Sequence, residues 1–191
     1  MKIYLLLPGF LILTCCGVLT PVKDSSVYHV LDPLVSDRTL SNASPSMAIN
    51  RPSIPGYLDR QQLVTRSGEH LMISNVDLWG EPLETGIARV TASNLSRLTG
   101  STNIQPVENF VTLDYATLLE LKISRFEPDS SNQMVFEGTW KLQPIKGGET
   151  RNHFFRISTS ISTTSPQIAA RVNAMNQCLE RLARQITNQS D

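Results

Sequence analysis

Three stretches in the second half of the chain alternate apolar and polar residues with a period of two. That period gives an extended strand one apolar and one polar face. Turn-forming residues at 127–132 and 146–148 join the stretches, so the pattern predicts an antiparallel meander whose apolar face a helix must cover. The apolar positions are Leu119, Leu121 and Ile123, then Met134, Phe136, Trp140 and Leu142, then Phe155, Ile157 and Ile161.

Two other stretches repeat their apolar residues at steps of three and four, which predicts amphipathic helices. Asp77 is the predicted N-cap of the first helix, Pro82 fits its first turn, and Gly100 predicts its end. Ser165-Pro166 predicts the start of the second helix. The apolar stripes are Trp79, Leu83, Ile87, Val90 and Leu98 in the first helix, and Ile168, Val172, Met175, Leu179, Leu182 and Ile186 in the second.

Both helices leave an alternative open. Asn94 lies on the first apolar stripe, and we interpret it as a buried, hydrogen-bonded amide, with a ligand contact as the alternative. The seam of the second helix suits a coiled-coil partner as well as a sheet. We favour packing on the sheet, because the seam lasts for fewer than three full heptads.

Shorter strands are predicted before the meander, together with a hairpin that turns at Ser67-Gly68. Their bounds are 27–34, 47–49, 62–66, 70–74 and 102–107, and residues 36–45 have the composition of a loop. Together these patterns predict an α+β fold of two layers. A mostly antiparallel sheet of about six strands would carry both amphipathic helices on one face.

Charge and hydrophobicity exclude two classes of protein. The 191 residues include 17 Lys plus Arg and 17 Asp plus Glu, so the chain has no basic surplus with which to neutralise nucleic-acid phosphates. No run of apolar residues is long enough for a transmembrane helix. The length predicts one domain.

The N-terminus predicts a secretory signal that ends in lipidation. Lys2 precedes the apolar residues 3–14, and Cys15-Cys16 follows. This arrangement resembles a bacterial lipobox, in which Leu three residues before the modified cysteine favours Cys16 over Cys15. The alternatives are a secreted protein cut nearby and a retained anchor helix. The predicted organisation is a signal peptide at 1–15, a tether at 16–26 and a periplasmic domain at 27–191.

Metal and thiol chemistry have little support in the sequence. His29, His70 and His153 lie on separate predicted strands without cysteine or acidic neighbours at ligand spacing. Cys178 falls within the pattern of the second helix, where a small buried hydrophobe is more common than a nucleophile. We therefore predict no metal site and no cofactor.

No motif for hydrolytic or phosphoryl-transfer chemistry occurs in the chain. Acids in loops and first helical turns usually cap helices or face solvent, so we do not predict an acid–base pair among Asp59, Asp77, Glu81 and Glu84. The sequence predicts a protein that is not an enzyme.

Two segments and one helix carry a resemblance to a known family. They are Ile54-Pro55-Gly56-Tyr57-Leu58-Asp59-Arg60-Gln61-Gln62-Leu63-Val64-Thr65-Arg66, then Leu78-Trp79-Gly80-Glu81-Pro82-Leu83, then Arg89-Val90 and Asn94-Leu95. The chain resembles the PqiC (YmbA) family, auxiliary lipoproteins of ABC-type and MCE-type transport systems. It departs from the family pattern at Cys15, at Thr91 and at Gly80, where the family carries alanine and where glycine is expected to weaken the first helical turn.

The resemblance implies a non-enzymatic lipoprotein on the periplasmic face of the outer membrane. Its partner would be a PqiB-like MCE tube protein, and the two would move lipid between membranes and maintain envelope integrity. A homo-oligomeric ring is also implied. Gly17 follows the modified cysteine in place of an inner-membrane retention Asp, which predicts outer-membrane sorting.

The loop Pro55-Gly56-Tyr57-Leu58-Asp59-Arg60 is the predicted partner-binding site. Pro55-Gly56 favours a turn that could present Tyr57 and Leu58 to a partner. Alternatively, both side chains fold back onto the core and Asp59 pairs with Arg60. Two other functions compete with that of a transport adaptor. They are binding of a lipid or other apolar ligand in a pocket between helices and sheet, and hydrolysis in the envelope.

Overall fold

The computed structural model of the chain describes residues 24–34, 46–107, 115–164 and 166–190. The predicted lipidation at Cys16 or Cys15, the loop at 36–45 and the cap at Ser165 lie outside the described residues. In chain order the elements are β1 (Val27–His29), β2 (Met47–Ile49), β3 (Gln62–Ser67), β4 (His70–Trp79), α1 (Leu83–Thr99), β5 (Ile104–Pro106), β6 (Thr117–Pro128), β7 (Gln133–Pro144), β8 (Arg151–Ser160) and α2 (Gln167–Ser190). The predicted α+β class is confirmed.

The described strands form two sheets where the sequence analysis expected one. The larger has the order β5-β2-β6-β7-β8, and the smaller has the order β1-β4-β3. The antiparallel meander β6-β7-β8 and the hairpin β3-β4 are confirmed. However, β2 runs parallel to both of its neighbours, and β1 runs parallel to β4. The described sheets are therefore mixed and contain eight strands, not about six in one mostly antiparallel sheet.

The start of α1 differs from the prediction. Asp77 and Trp79 belong to β4, and the helix begins at Leu83 after Pro82, without a side-chain cap. The Asp77 carboxylate instead accepts hydrogen bonds from His29 Nε2 and Ser74 Oγ, each at 2.9 Å. The apolar stripe misplaced this boundary, because Trp79 lies one helical step before Leu83 although the two residues are in different elements. The predicted end at Gly100 is confirmed by its left-handed φ of 72°.

The two helices lie in one layer on the larger sheet, as predicted. α2 packs on β7 and β8, while α1 packs on α2 and on β5. The apolar stripe of α2 is buried from Val172 to Ile186. No helix in the described part of the chain is long and apolar enough to cross a membrane.

Aromatic rings fill the sheet side of the core. Phe126 stacks on Phe136 at 4.1 Å between ring centroids, and Phe155 meets Phe136 edge-on at 4.9 Å. All three residues are buried. These contacts join the three meander strands β6, β7 and β8.

Asn94 is fully buried, as predicted, but it is not hydrogen-bonded as predicted. Neither its Oδ1 nor its Nδ2 has a partner among the described residues, and the same holds for Thr91 Oγ1 one turn earlier. An unpaired buried polar group costs about 1–3 kcal/mol. The sequence pattern correctly predicts that Asn94 faces inward, but it cannot predict whether a hydrogen-bond partner lies nearby.

Candidate functional site

The predicted partner-binding loop is fixed to the larger sheet at its start. Ser53 donates its backbone N–H to the carbonyl of Leu121 at 2.9 Å and accepts one from Ile123 at 2.8 Å. A tight turn follows, in which the N–H of Leu58 donates to the carbonyl of Pro55 at 2.9 Å. The backbone therefore pairs with β6 at Ser53 and turns at residues 55–58 before it enters the hairpin β3-β4.

The buried carboxylate of Glu127 anchors this loop. The Tyr57 hydroxyl donates to its Oε2 at 2.8 Å, and Arg66 and Arg125 donate to its Oε1 from their Nε atoms at 3.0 and 3.1 Å. The backbone N–H of Phe126 donates to Oε2 at 3.0 Å. The Glu127 side chain has 0% exposure, so these four donors replace its hydration.

Tyr57 belongs to this cluster rather than to the surface. Its ring is half-buried against the core, and the Arg66 guanidinium carbon lies 5.8 Å from the ring centroid. Burial, followed by the hydrogen bond to Glu127, raises the pKa of Tyr57 to about 12. The phenol therefore stays protonated in the folded state at every physiological pH.

The rest of the loop divides into an inward and an outward part. Leu58 is buried in the core at 3% exposure, whereas Asp59 and Arg60 are exposed. Within the described ranges, no ion pair joins Asp59 to Arg60. The inward placement of Tyr57 and Leu58 matches the core-covering alternative, and the side chains of the loop that face solvent are Asp59 and Arg60.

The second family segment lies directly beside the loop. The N–H of Trp79 donates to the carbonyl of Gln61 at 2.6 Å, and the N–H of Gly80 donates to the carbonyl of His29 at 2.8 Å. Gly80 precedes α1, so the expectation that it weakens the first helical turn is wrong. A Cβ there would lie 3.1 Å from Cγ1 of the exposed Val30, which would have to shift by a few tenths of an ångström.

Both segments line one open cleft of about 300 Å³ at the start of α1. Three of its lining side chains are acidic and one is basic, so we call it the acidic cleft, although Glu81 is paired with Arg89 and Glu84 with Arg51. The Arg89 guanidinium donates to the Glu81 carboxylate and to the carbonyl of Leu31, so it holds one wall in place. The lining residues are Asp59, Arg60, Gln61, Trp79, Gly80, Glu81, Pro82, Leu83 and Glu84.

The remaining candidate residues do not converge on this cleft. His29 pairs with Asp77, His153 stacks on Trp140 at 4.5 Å, and His70 begins β4. No group of three or more metal-ligating side chains occurs among the described residues. Burial raises the pKa of the Cys178 thiol to about 11, consistent with its interpretation as a small buried hydrophobe.

Sequence analysis missed Glu127 and its two arginines. Glu127 was assigned to the turn at 127–132, but it is the penultimate residue of β6 and is buried. The available signal was local, since Arg125 lies two residues earlier on the same strand. The distant partners Tyr57 and Arg66 could not be assigned without the fold.

Comparisons with known proteins agree on one family and one fold. The family model for "ABC-type transport auxiliary lipoprotein component" matches residues 29–187. A crystal structure of an uncharacterized protein is similar at 17% identity and a TM-score of 0.70, over 87% of this chain and 99% of that chain. Protein XCC0632 from Xanthomonas campestris, of family model DUF330, is similar at 15% identity and a TM-score of 0.64, over 86% of this chain and 94% of that chain. No curated protein sequence matches the chain.

The Glu127 cluster predicts that removing Glu127 destabilises the fold more than removing a more exposed glutamate of the same strand. We expect Glu127→Ala to lower the free energy of unfolding by about 1–3 kcal/mol, because it leaves the Tyr57 hydroxyl and the buried N–H of Phe126 without their acceptor. Glu120→Ala is the matched control on the same strand, since Glu120 forms a more exposed ion pair with Lys141 and should cost less than about 1 kcal/mol. Urea unfolding followed by circular dichroism measures both values, and equal losses would contradict the role of the cluster.

The raised pKa of Tyr57 predicts a loss of stability at alkaline pH. The unfolded state releases the tyrosine proton near pH 10, and the folded state releases it only near pH 12. The unfolded state therefore binds fewer protons in this window, so stability should fall as the pH rises from about 10 to 12. Denaturant unfolding at several pH values should show a smaller fall for Tyr57→Phe. Tyr28→Phe, at an exposed position, controls for the loss of a tyrosine.

Proposed function

The chain belongs to the family of ABC-type transport auxiliary lipoprotein components, and from that premise we propose that it works on the periplasmic face of the outer membrane. There it serves as a non-enzymatic auxiliary component of an MCE-type system that moves lipid between the membranes. The observation that carries this proposal is the family match, which runs from the end of β1 to the last turns of α2.

The proposed attachment is acylation of Cys16 after removal of residues 1–15. It is supported by the Leu13-Thr14-Cys15-Cys16 pattern and by the lipoprotein family. Gly17 in place of a retention Asp supports sorting to the outer membrane. Several acyl chains on one cysteine make such an anchor durable, because a single chain binds only marginally.

The proposed partner is a PqiB-like MCE tube protein that meets a homo-oligomeric ring of this chain. The acidic cleft supports a docking role, because two family segments converge there and its walls are held by hydrogen bonds. Its lining contains no histidine, cysteine, serine or lysine, so it lacks the usual nucleophile and base of an esterase or amidase. Asp59 and Arg60 are the side chains best placed for contact.

The alternative of a lipid carrier receives less support. The gap between the smaller sheet and α2, lined by Leu58, Trp79, Phe126 and Met175, encloses about 20 Å³. That volume has room for about one water molecule, and an acyl chain needs far more. The apolar interior at this point is therefore already filled by the protein's own side chains.

Anchoring is tested by labelling cells with radioactive palmitate. We expect Cys16→Ala to lose the label and to release the chain from membranes, whereas Cys15→Ala should keep the label. Fractionation should place the labelled protein in the outer membrane. A label that persists in Cys16→Ala, or recovery in the inner membrane, would contradict the proposed attachment.

Partner binding is tested by crosslinking in whole cells. A photoreactive amino acid at Arg60 should capture an MCE tube protein, and the same group at Glu149, an exposed position between β7 and β8, should not. Asp59→Lys should reduce capture from Arg60 because it reverses a charge beside the label. The proposal fails if Arg60 captures nothing or captures the same proteins as Glu149.

A further inference from the structure

The last strand of the larger sheet has an unpaired side. Among the described residues, β8 pairs with β7 and with no other strand over its ten residues. The strand at the opposite end of that sheet, β5, has three residues and packs against α1. A long strand with one free side is a template on which another extended chain can pair.

The register shows which backbone groups of β8 point away from the sheet. Ile161 continues the β7–β8 register by one residue and donates its N–H to the carbonyl of Asn132 at 3.1 Å. Bonded and non-bonded pairs alternate, so the odd-numbered residues of β8 direct their backbone groups at β7 and the even-numbered residues direct theirs outward. The outward carbonyl of Ser158 accepts a hydrogen bond from Arg181 Nη1 of α2 at 2.8 Å, as this assignment requires. We call the outward side of residues 152–160 the β8 edge.

An open groove of about 350 Å³ lies between the β8 edge and α2. We call it the arginine groove, because three of its six lining residues are arginines and none is acidic; they are Arg156, Ile157, Ser158, Arg181, Arg184 and Gln185. Arg156 pairs through its Nε with Glu137 at 3.0 Å. Arg184 pairs with Glu180 at 2.9 Å. Arg181 forms no ion pair within the described ranges, so the groove has three cations and two neighbouring carboxylates. A guanidinium has five N–H donors, and these contacts leave some of them for a ligand.

The outer face of the β8 edge carries an exposed aromatic ring. Phe154 is 69% exposed, more than any other large hydrophobic residue in the described part of the chain. Phe155 and Ile157, at the alternate positions of the strand, are buried, so Phe154 lies on the face opposite the helices. A strand paired with the β8 edge would place a side chain about 5 Å from this ring and cover it.

The charges beside the edge select the kind of chain that pairs there. Two copies joined β8 to β8 would bring arginines against arginines, and like charges on paired strands are destabilising. A phosphate would bind the guanidinium groups but would leave the outward backbone groups and Phe154 uncovered. An extended acidic peptide meets all three features, because its backbone pairs with β8, its carboxylates bind the arginines and its apolar side chains cover Phe154.

We propose that the β8 edge binds an extended, acidic segment of a partner protein, which adds to the larger sheet as a further strand. Main-chain hydrogen bonds hold the segment, and the arginine groove selects its acidic side chains. The arginine groove shares no lining residue with the acidic cleft, so this inference does not depend on the proposed tube partner or on the lipid anchor.

The test uses three synthetic peptides and the full mature chain in detergent. The first peptide alternates valine and glutamate over about eight residues, an ordinary strand length. The second carries lysine at each glutamate position. The third keeps the glutamates but is N-methylated at every residue, so it cannot donate backbone hydrogen bonds. Calorimetry measures the affinity, and amide hydrogen exchange locates the bound peptide.

We expect the valine–glutamate peptide to bind and to slow amide exchange within residues 151–160. Arg156→Gln combined with Arg184→Gln should weaken its binding about tenfold, because charge-assisted hydrogen bonds are lost. Lys122→Ala is the matched control, since it removes an exposed cation two strands away from β8 and should leave the affinity unchanged. An unchanged affinity in the arginine variant would overturn the proposal.

The control peptides give the other outcomes that would overturn the proposal. They are no binding of the first peptide, or equal binding of the lysine peptide. Equal binding of the N-methylated peptide would mean that the arginines take any anion without strand addition, which also contradicts the proposal.

Sedimentation velocity of the chain without peptide tests whether a second copy covers the edge instead. Phe154→Lys should leave the size of the particle unchanged, which supports a separate partner. A smaller particle in this variant would show that copies of the chain pair at the β8 edge, and it would overturn the proposal.

Discussion

The arrangement of the candidate site depends on one buried carboxylate. Glu127 on β6 receives Tyr57 from the loop, Arg66 from the hairpin and Arg125 from its own strand. Burying a charge is costly, so the net stability gained from the cluster is modest, but any arrangement that moves Tyr57 and Arg66 away leaves the buried carboxylate with donors from its own strand alone. The carboxylate therefore selects the position of the hairpin on the larger sheet rather than merely strengthening it.

The cluster also gives the family segment from Ile54 to Arg66 one shared structural role. Ser53, directly before it, hydrogen-bonds to β6, Tyr57 binds Glu127, and Arg66 at its end binds the same carboxylate. Between these two fixed points, Asp59 and Arg60 are turned outward. A segment that first suggested a partner contact throughout is thus mostly a support, and it displays only two charged side chains.

Elements with many repeating positions could be predicted from the sequence, and isolated contacts could not. The meander and α2 each repeat their pattern over ten or more residues, whereas β1, β2 and β5 have three residues each and take parallel neighbours that alternation does not specify. Asp77 carries a helix-capping side chain that serves equally well within a strand, where it binds His29. Glu127 depends on Arg66, 61 residues away, so only the folded chain brings them together.

β4 runs from the exposed hairpin to the acidic cleft. Met72 is exposed near its start, and Trp79, at its end, lines the acidic cleft. Seven residues of strand measure about 23 Å, and the turn that Ser74 makes with Asp77 shortens that length. The strand therefore fixes the distance between the exposed Met72 and the cleft, and a protein seated in the cleft would lie at that distance from Met72.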